Sequence, residues 1–373
     1  MRKTDKMNDY MVIGGGVMGL LLARQLAAGG ATVTVLEQGV CFGEASWAGG
    51  GIVSPLYPWR YSSAVSALAF QAQLAYPRLV EELLAETGLD AELEHTGLLM
   101  LDADDESDAL SWAGETGKNV QSVSSQFIRA REPGLSRSFT RGLWMPEIAN
   151  IRNPRLGQAL LKSLHNNPHV QILEQTSVVS LTGDGTRILR ADILRKGRQE
   201  SLTAGAFVVT AGAWSGNLLA GLGIELPVVP VKGQMLLFRP ERRLINTMVL
   251  TAGRYIIPRR DNHLLVGSTL EHTAFDKSTT EEALTSLHDS AVALLPELAK
   301  YPVTQQWAGL RPGAPQGIPF IGRAGKWENL YVNAGHYRNG LVLAPASAKL
   351  LADILLGRRP DIDPRPYDPC LNC

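Results

Sequence analysis

The feature that most constrains this chain stands near its start. Gly14-x-Gly16-x-x-Gly19 lies between a short apolar run, residues 10–13, and a helical apolar pattern, residues 17–28, closed by Gly29 and Gly30. Residues 32–36 then mix β-branched and apolar side chains and end at Glu37. Strand, glycine turn, helix and strand in that order predict the βαβ unit of a parallel sheet. Each glycine has its own reason: the first makes the tight turn, the second lets backbone approach a pyrophosphate, and the third packs helix on strand. The helix start, with Val17 and Met18 in its first turn, offers free N–H groups and a partial positive charge to phosphate. Glu37, roughly 20 residues beyond the last glycine, is placed to accept hydrogen bonds from ribose hydroxyls, with Gln38 beside it. Glycine turns also serve plain chain reversal, but all five parts are in register here, and they predict a dinucleotide site. The acid favours a free ribose over a 2′-phosphate without separating NAD from FAD.

Two later segments favour FAD. A small-residue loop at 45–54 (ASWAGGGIVS) directly follows the ribose-binding strand, and its glycines bring backbone donors within reach of a pyrophosphate and a flavin. Near the end, residues 329–333 read as a strand, 335–340 as a glycine-flanked loop and 341–356 as a helix capped by Gly357. That helix start would stabilise the negative charge of a reduced flavin. The alternative on pattern alone is two ordinary surface turns.

At 373 residues the chain exceeds one usual compact domain. Residues 66–86 read as a long helix, and 93–101, 142–145, 227–238, 254–258 and 264–269 as strands of a second, antiparallel sheet. A helix at 154–164, a strand at 170–173 and the run 206–211 return to parallel α/β character. The expected fold is therefore α/β: a Rossmann-type FAD-binding domain, discontinuous over 1–86, 146–226 and 306–373, with an interleaved α+β substrate domain over 87–145 and 227–305. No repeat or low-complexity linker interrupts it.

With 36 basic and 36 acidic side chains and no long Lys/Arg block, nucleic acid is not an expected partner. The longest early apolar run is too short to span a bilayer and is broken by Arg24 and Gln25. The polar leader lacks a signal-peptide pattern, so a cytoplasmic location is expected. Three cysteines, Cys41, Cys370 and Cys373, make no disulfide framework. The C-x-x-C of the last two has no further ligands nearby to complete a zinc site, and no metal is expected. Homo-oligomerisation is left open.

The segments VIGGGVMG (12–19), ASWAGGGIVS (45–54), VVTAGAW (208–214), YIIPRRDNHLLVGST (255–269), WAGLRP (307–312) and GHYRNGLVLAP (335–345) together carry a family resemblance. The sequence resembles the flavin-dependent amino acid oxidases that include D-amino acid oxidase and sarcosine oxidase, and among these the glycine oxidases of thiamine biosynthesis, over nearly its whole length. The resemblance implies that the arginine of G-L-R-P, Arg311 here, holds a substrate carboxylate. It matches Arg338 to the arginine of the G-H-Y-R-N-G loop, Tyr255 to the tyrosine opening the Y-I-x-P-R strand, and Leu270 to a position lining the substrate pocket. Cofactor contacts are expected from Gly14, Gly16, Val17, Met18, Gly19, Glu37, Gln38, Ala45, Ser46, Gly49, Gly50, Gly51, Val178, Ala211, Gly212, Trp214, His336, Arg338, Asn339, Gly340 and Leu341. The small-residue loop departs from the family, with three glycines and Trp47 where relatives tend to carry alanines and a methionine, so its contacts are fixed only to within a residue. Sarcosine oxidases tether flavin through a cysteine; none lies in the matching region here, which implies a non-covalent cofactor.

The residues support that chemistry on their own terms. An arginine fork gives a carboxylate paired, charge-assisted hydrogen bonds, and Arg311 sits in an apolar segment where an unpaired guanidinium would be costly. Its alternative is an internal salt bridge. Arg338 adds a second positive charge or supports phosphate or backbone, and Tyr255 sets its phenol against the carboxylate or merely fills the core. His336 is the lone histidine of the loop, read as packing or flavin-loop support. With the carboxylate gripped, a hydride leaves the α-carbon of the neutral amine and no side-chain base is required; an imine, then a keto acid and ammonia, follow, with oxygen giving hydrogen peroxide. Glycine, sarcosine and small D-amino acids fit this reading. A dehydrogenase passing electrons to a quinone or another acceptor, or a non-catalytic flavin-binding module, are the alternatives.

Overall fold

A computed structural model describes residues 8–371. Six strands form the first sheet, in the order Phe320–Arg323, Leu330–Ala334, Ala204–Val209, Asn8–Ile13, Val33–Leu36 and Val170–Leu173. All pairs are parallel except the outermost, where Phe320–Arg323 runs against Leu330–Ala334. Alternate residues of these strands serve opposite faces, as the pleat requires. Val12, Val33, Val35 and Val208 pack with the helices Val17–Ala28, Ser63–Thr87, Asn153–His165 and Gly340–Leu355. Met11, Ile13, Leu36, Phe207 and Val209 pack on the other side, against a three-stranded antiparallel sheet of Thr176–Gly183, Ile188–Arg195 and Arg198–Leu202. Both faces are covered, which is why these strands read as apolar runs rather than as alternation.

An eight-stranded sheet forms the second layer system, in the order Val303–Gly313, Val229–Phe238, Leu264–Gly267, Arg254–Pro258, Met248–Thr251, Leu98–Leu101, Arg141–Met145 and Gln121–Ser124. Its pairs are antiparallel except Met248–Thr251 with Leu98–Leu101. One face packs on the helix Glu281–Leu294 through Leu287, Ala291 and Leu294. The other carries Met235, Tyr255 and Ile257 toward Ile52 and Leu56. The sheet thus presents a side-chain wall to the small-residue loop.

Several boundaries differ from the sequence expectations for local reasons. The strand expected over 93–101 is Leu98–Leu101, because Gly97 turns the chain at φ 68° before it. The hairpin strand expected to reach residue 269 ends at Gly267. The long helix is Ser63–Thr87, begun by the Ser62 side chain accepting from the Val65 N–H and ended by Gly88 at φ 70°. Residues 45–48 of the expected loop form a helical turn, Ala45–Ala48. The three-stranded sheet has no counterpart among the sequence expectations, since its solvent-facing strands bury little. The strand Val303–Gly313 belongs to the antiparallel sheet and runs across the division expected at residue 306. Among the described residues no helix is long and apolar enough to cross a membrane, and no cluster of three or more His, Cys, Asp or Glu is placed to hold a metal ion. Cys370 Sγ faces the carbonyls of Arg323 and Gly325; Cys373 lies outside the described residues.

Candidate active site

A cavity of about 440 Å³ joins the carboxyl ends of the parallel strands to the wall of the antiparallel sheet. Ligands of open α/β sheets bind at such strand ends. Gly14 makes the turn at φ 116°, a conformation that a side chain resists, and a Cβ there would press on the Thr210 carbonyl. A Cβ at Gly19 would collide with the Gly14 carbonyl oxygen, so glycine lets the helix lie directly on the turn. The Val17 N–H, in the first turn of Val17–Ala28, donates to Ser46 Oγ at 2.9 Å, tying the small-residue loop to the helix start.

Glu37 is buried at the end of Val33–Leu36. Its Oε2 accepts from the Gly15 N–H and its Oε1 from the Gly39 N–H, both at 2.8 Å. Burial pushes its carboxyl above the ordinary value and the two backbone donors pull it back. A carboxylate has about four acceptor sites, so two remain open to hydroxyl groups of a ligand. Asn153 Oδ1 and Asn333 Oδ1 are buried, line the cavity and have no partner among the described residues. Orphaned acceptors of this kind, a glycine turn and an acid at one end fit an elongated ligand rich in polar groups.

The opposite end is built by side chains. Arg311 extends from Val303–Gly313 across its neighbouring strand, where a Cβ at Gly233 would collide with the guanidinium. Arg311 Nη1 donates to the carbonyls of Lys232 and Thr269 at 3.3 and 3.2 Å, and Nη2 to Ser268 Oγ at 2.8 Å. These acceptors are neutral, and among the described residues Arg311 has no carboxylate within salt-bridge distance. Burial lowers its pKa, Tyr255 opposes that shift, and the nearby positive charge of Arg338 adds to it. Among the described residues the Tyr255 hydroxyl has Met235 Sδ as its one hydrogen-bond partner, at 3.4 Å. Sulfur is a weak acceptor, so the phenol stays available to a better one.

Lys232 lies beneath this floor, almost fully buried and paired with Asp276 at 2.9 Å and Glu271 at 3.3 Å. Its ammonium is therefore spent, and only its carbonyl faces Arg311. His336 is 1 % exposed, with Nε2 3.1 Å from Ser347 Oγ. Burial drives its pKa down to about 3, which leaves the imidazole neutral near pH 7.

The cavity brings together Arg311, Arg338, Tyr255 and all the expected cofactor residues except Gly19 and Asn339. Gly19 packs behind the turn, and Asn339 is buried beneath the loop. Leu270 is 47 % exposed and does not line the cavity, because between Thr269 and Glu271, whose backbones bond to Gln234 and Lys232, its side chain faces solvent. Sequence reasoning did not single out Asn153, Thr210, Tyr337 or Ser268. Asn153 had a legible signal, an Asn-Pro opening a helix. Ser268 had none, since its role depends on where Arg311 arrives.

A family model described as FAD dependent oxidoreductase matches residues 9–354. Glycine oxidase from Pseudomonas aeruginosa is 52% identical, covering 96% of this chain and 98% of its own length. Glycine oxidase from Pseudomonas putida is 51% identical, covering 97% and 98%. The crystal structure of glycine oxidase from Geobacillus kaustophilus superposes with a TM-score of 0.90 at 30% identity, over 97% of this chain and 98% of that one. Sequence, architecture and a cavity cut for a dinucleotide converge on one conclusion: the chain belongs to the FAD dependent oxidoreductase family, and its cofactor is FAD.

Proposed function

We propose that the protein oxidatively deaminates glycine, forming the corresponding keto acid, ammonia and hydrogen peroxide, in the cytoplasm. One observation carries this reading. Arg311 is a largely desolvated guanidinium held from behind by neutral acceptors, inside the same cavity as the nucleotide turn. Such a charge calls for a bound carboxylate, whose arrival would offset the desolvation. Two relatives at about half identity, both named glycine oxidase, support the choice of amino acid.

In this reading Arg311 grips the substrate carboxylate and Tyr255 donates its hydroxyl to it. Arg338 keeps the site positive, and the cofactor lies along Gly14, Gly16, Val17, Met18, Glu37, Gln38, Ala45, Ser46, Gly49, Gly50, Gly51, Val178, Ala211, Gly212, Trp214, Gly340 and Leu341. Bound FAD supplies the acceptor for a hydride from the α-carbon and is regenerated by oxygen. The chain's own residues hold the α-carbon in place and supply no base: His336 is neutral but turned to Ser347. The amine must therefore arrive unprotonated, so kcat/KM rises with pH as the free amine accumulates.

The test is anaerobic bleaching of the yellow protein by glycine, sarcosine and D-alanine, followed by peroxide assay in air. Bleaching by glycine with stoichiometric peroxide is the expected result. Turnover only with an added dye would turn the reading toward a dehydrogenase, and no bleaching by any of them toward a module without turnover.

A further inference from the structure

The segment YIIPRRDNHLLVGST contains a cation that neither the nucleotide turn nor the carboxylate grip uses. Arg259 follows the strand Arg254–Pro258 and is only 4 % exposed. Its Nη1 donates to Asn150 Oδ1 at 2.6 Å and to the Ile151 carbonyl at 3.0 Å. Its Nη2 donates to the Gly50 carbonyl at 2.7 Å. All three acceptors are neutral. Burial lowers the pKa of the guanidinium to about 10, so it remains charged near pH 7. Keeping a cation buried there is costly, since the carboxylates of Glu92, Glu94 and Asp261 offset its desolvation only in part, and an apolar residue would pack there at less expense. The fork therefore does something that packing alone does not require.

What it fixes is a peptide plane. The Gly50–Gly51 bond is trans, so its carbonyl and its N–H point in opposite directions. With the Gly50 carbonyl held by Arg259, the Gly51 N–H is directed away from the guanidinium. Gly51 is buried and lines the cavity, and among the described residues its N–H finds no protein acceptor. Buried backbone donors are almost always paired, and a ligand filling the cavity that Gly51 lines is a source for the missing acceptor. Two successive glycines give the plane rotational freedom of their own, which the Arg259 hydrogen bond removes. Gly51 sits at φ 80°, where a Cβ would collide with the Ile151 carbonyl, and a Cβ at Gly50 would come within 3.0 Å of the Tyr255 ring.

Position decides which part of the cofactor meets this donor. Glu37 marks the ribose end, whereas Gly50 touches Tyr255 at the substrate end. We propose that Arg259 is a positioning residue that locks the Gly50–Gly51 peptide so that the Gly51 N–H donates to the acceptor edge of the flavin ring. A fixed donor there favours the more negative, reduced ring. The inference rests on FAD binding and not on the identity of the amino acid substrate, so its test uses no substrate.

Full-length R259K and R259M are compared with the parent protein in three measurements. These are FAD affinity by titration of the apoprotein, the visible spectrum at saturating FAD, and the reduction potential against a reference dye. Thermal unfolding of each apoprotein is recorded alongside. R259M is expected to bind FAD about tenfold to a hundredfold more weakly, the range for losing a charged hydrogen bond. Its flavin should show a shifted spectrum and a lower potential. R259K keeps the charge but not the fork, and should fall between. Lower apoprotein stability with an unchanged spectrum and potential at saturating FAD in both variants would overturn the proposal. Should R259M fail to fold, R259K decides by the same readouts: a shift supports the proposal and an unmoved potential overturns it.

Discussion

The two ends of the cavity are made in different ways. At the nucleotide end the contacts are backbone and local: one turn, one helix start and one acid within a short stretch of chain, with Gly15 and Gly39 both donating to Glu37. At the substrate end they are side chains from distant segments. Arg311, Ser268, Thr269 and Tyr255 meet only because Val303–Gly313, Val229–Phe238, Leu264–Gly267 and Arg254–Pro258 lie side by side. A backbone site tolerates little change in shape, because a Cβ has nowhere to go. A side-chain site tolerates change in shape but not in charge. Arg259 ties the side-chain wall to a backbone element, since it follows a strand of the antiparallel sheet and ends on the small-residue loop.

This contrast can be broken by experiment, and the largest effect is expected at the nucleotide end. Gly19→Ala sets a Cβ against the Gly14 carbonyl and 2.8 Å from Thr210 Oγ1, so helix and turn must separate. We expect protein that emerges colourless and does not regain flavin absorbance when FAD is added. Normal FAD binding by this variant would mean that backbone clearance does not govern that end.

At the substrate end, Arg311→Ala should leave the flavin spectrum intact while kcat/KM for glycine falls about a hundredfold to a thousandfold, as for other buried charge partners. Tyr255→Phe removes one hydrogen bond from a neutral donor and should cost about tenfold or less in the same steady-state assay. Equal losses from both would contradict the view that charge dominates this wall.

A smaller effect is expected from His336, which serves neither end electrostatically. In the unfolded chain the imidazole gains a proton near pH 6.5, but in the folded chain only near pH 3. Between those values the unfolded state binds more protons, so stability present above pH 6.5 is lost as pH falls toward 3. Urea unfolding of His336→Asn across this range should show a shallower decline than the parent protein. An identical slope would remove His336 from that account.

The nucleotide end was legible in the sequence because its parts are contiguous: Gly14, Gly16, Gly19 and Glu37 appear in one line at spacings set by a turn and a helix. The substrate end was legible in part from Arg311 in its apolar segment and chiefly through the family resemblance, which pointed to Arg311 and Tyr255 but also to Leu270, a position the structure turns toward solvent. Asn153 was readable in principle as a helix start, and its orientation toward the loop was not.

Residue order by itself determined the βαβ unit, the glycines that its turn demands and the acid that closes it, because those follow from steric rules acting over a few residues. Only the tertiary structure decided that Arg311 has neutral partners, that Gly233 clears its path, and that Arg259 aims a peptide in a loop some two hundred positions earlier in the chain. Strand pairing sets those contacts, and pairing between distant segments depends on how whole faces bury, which no local pattern encodes.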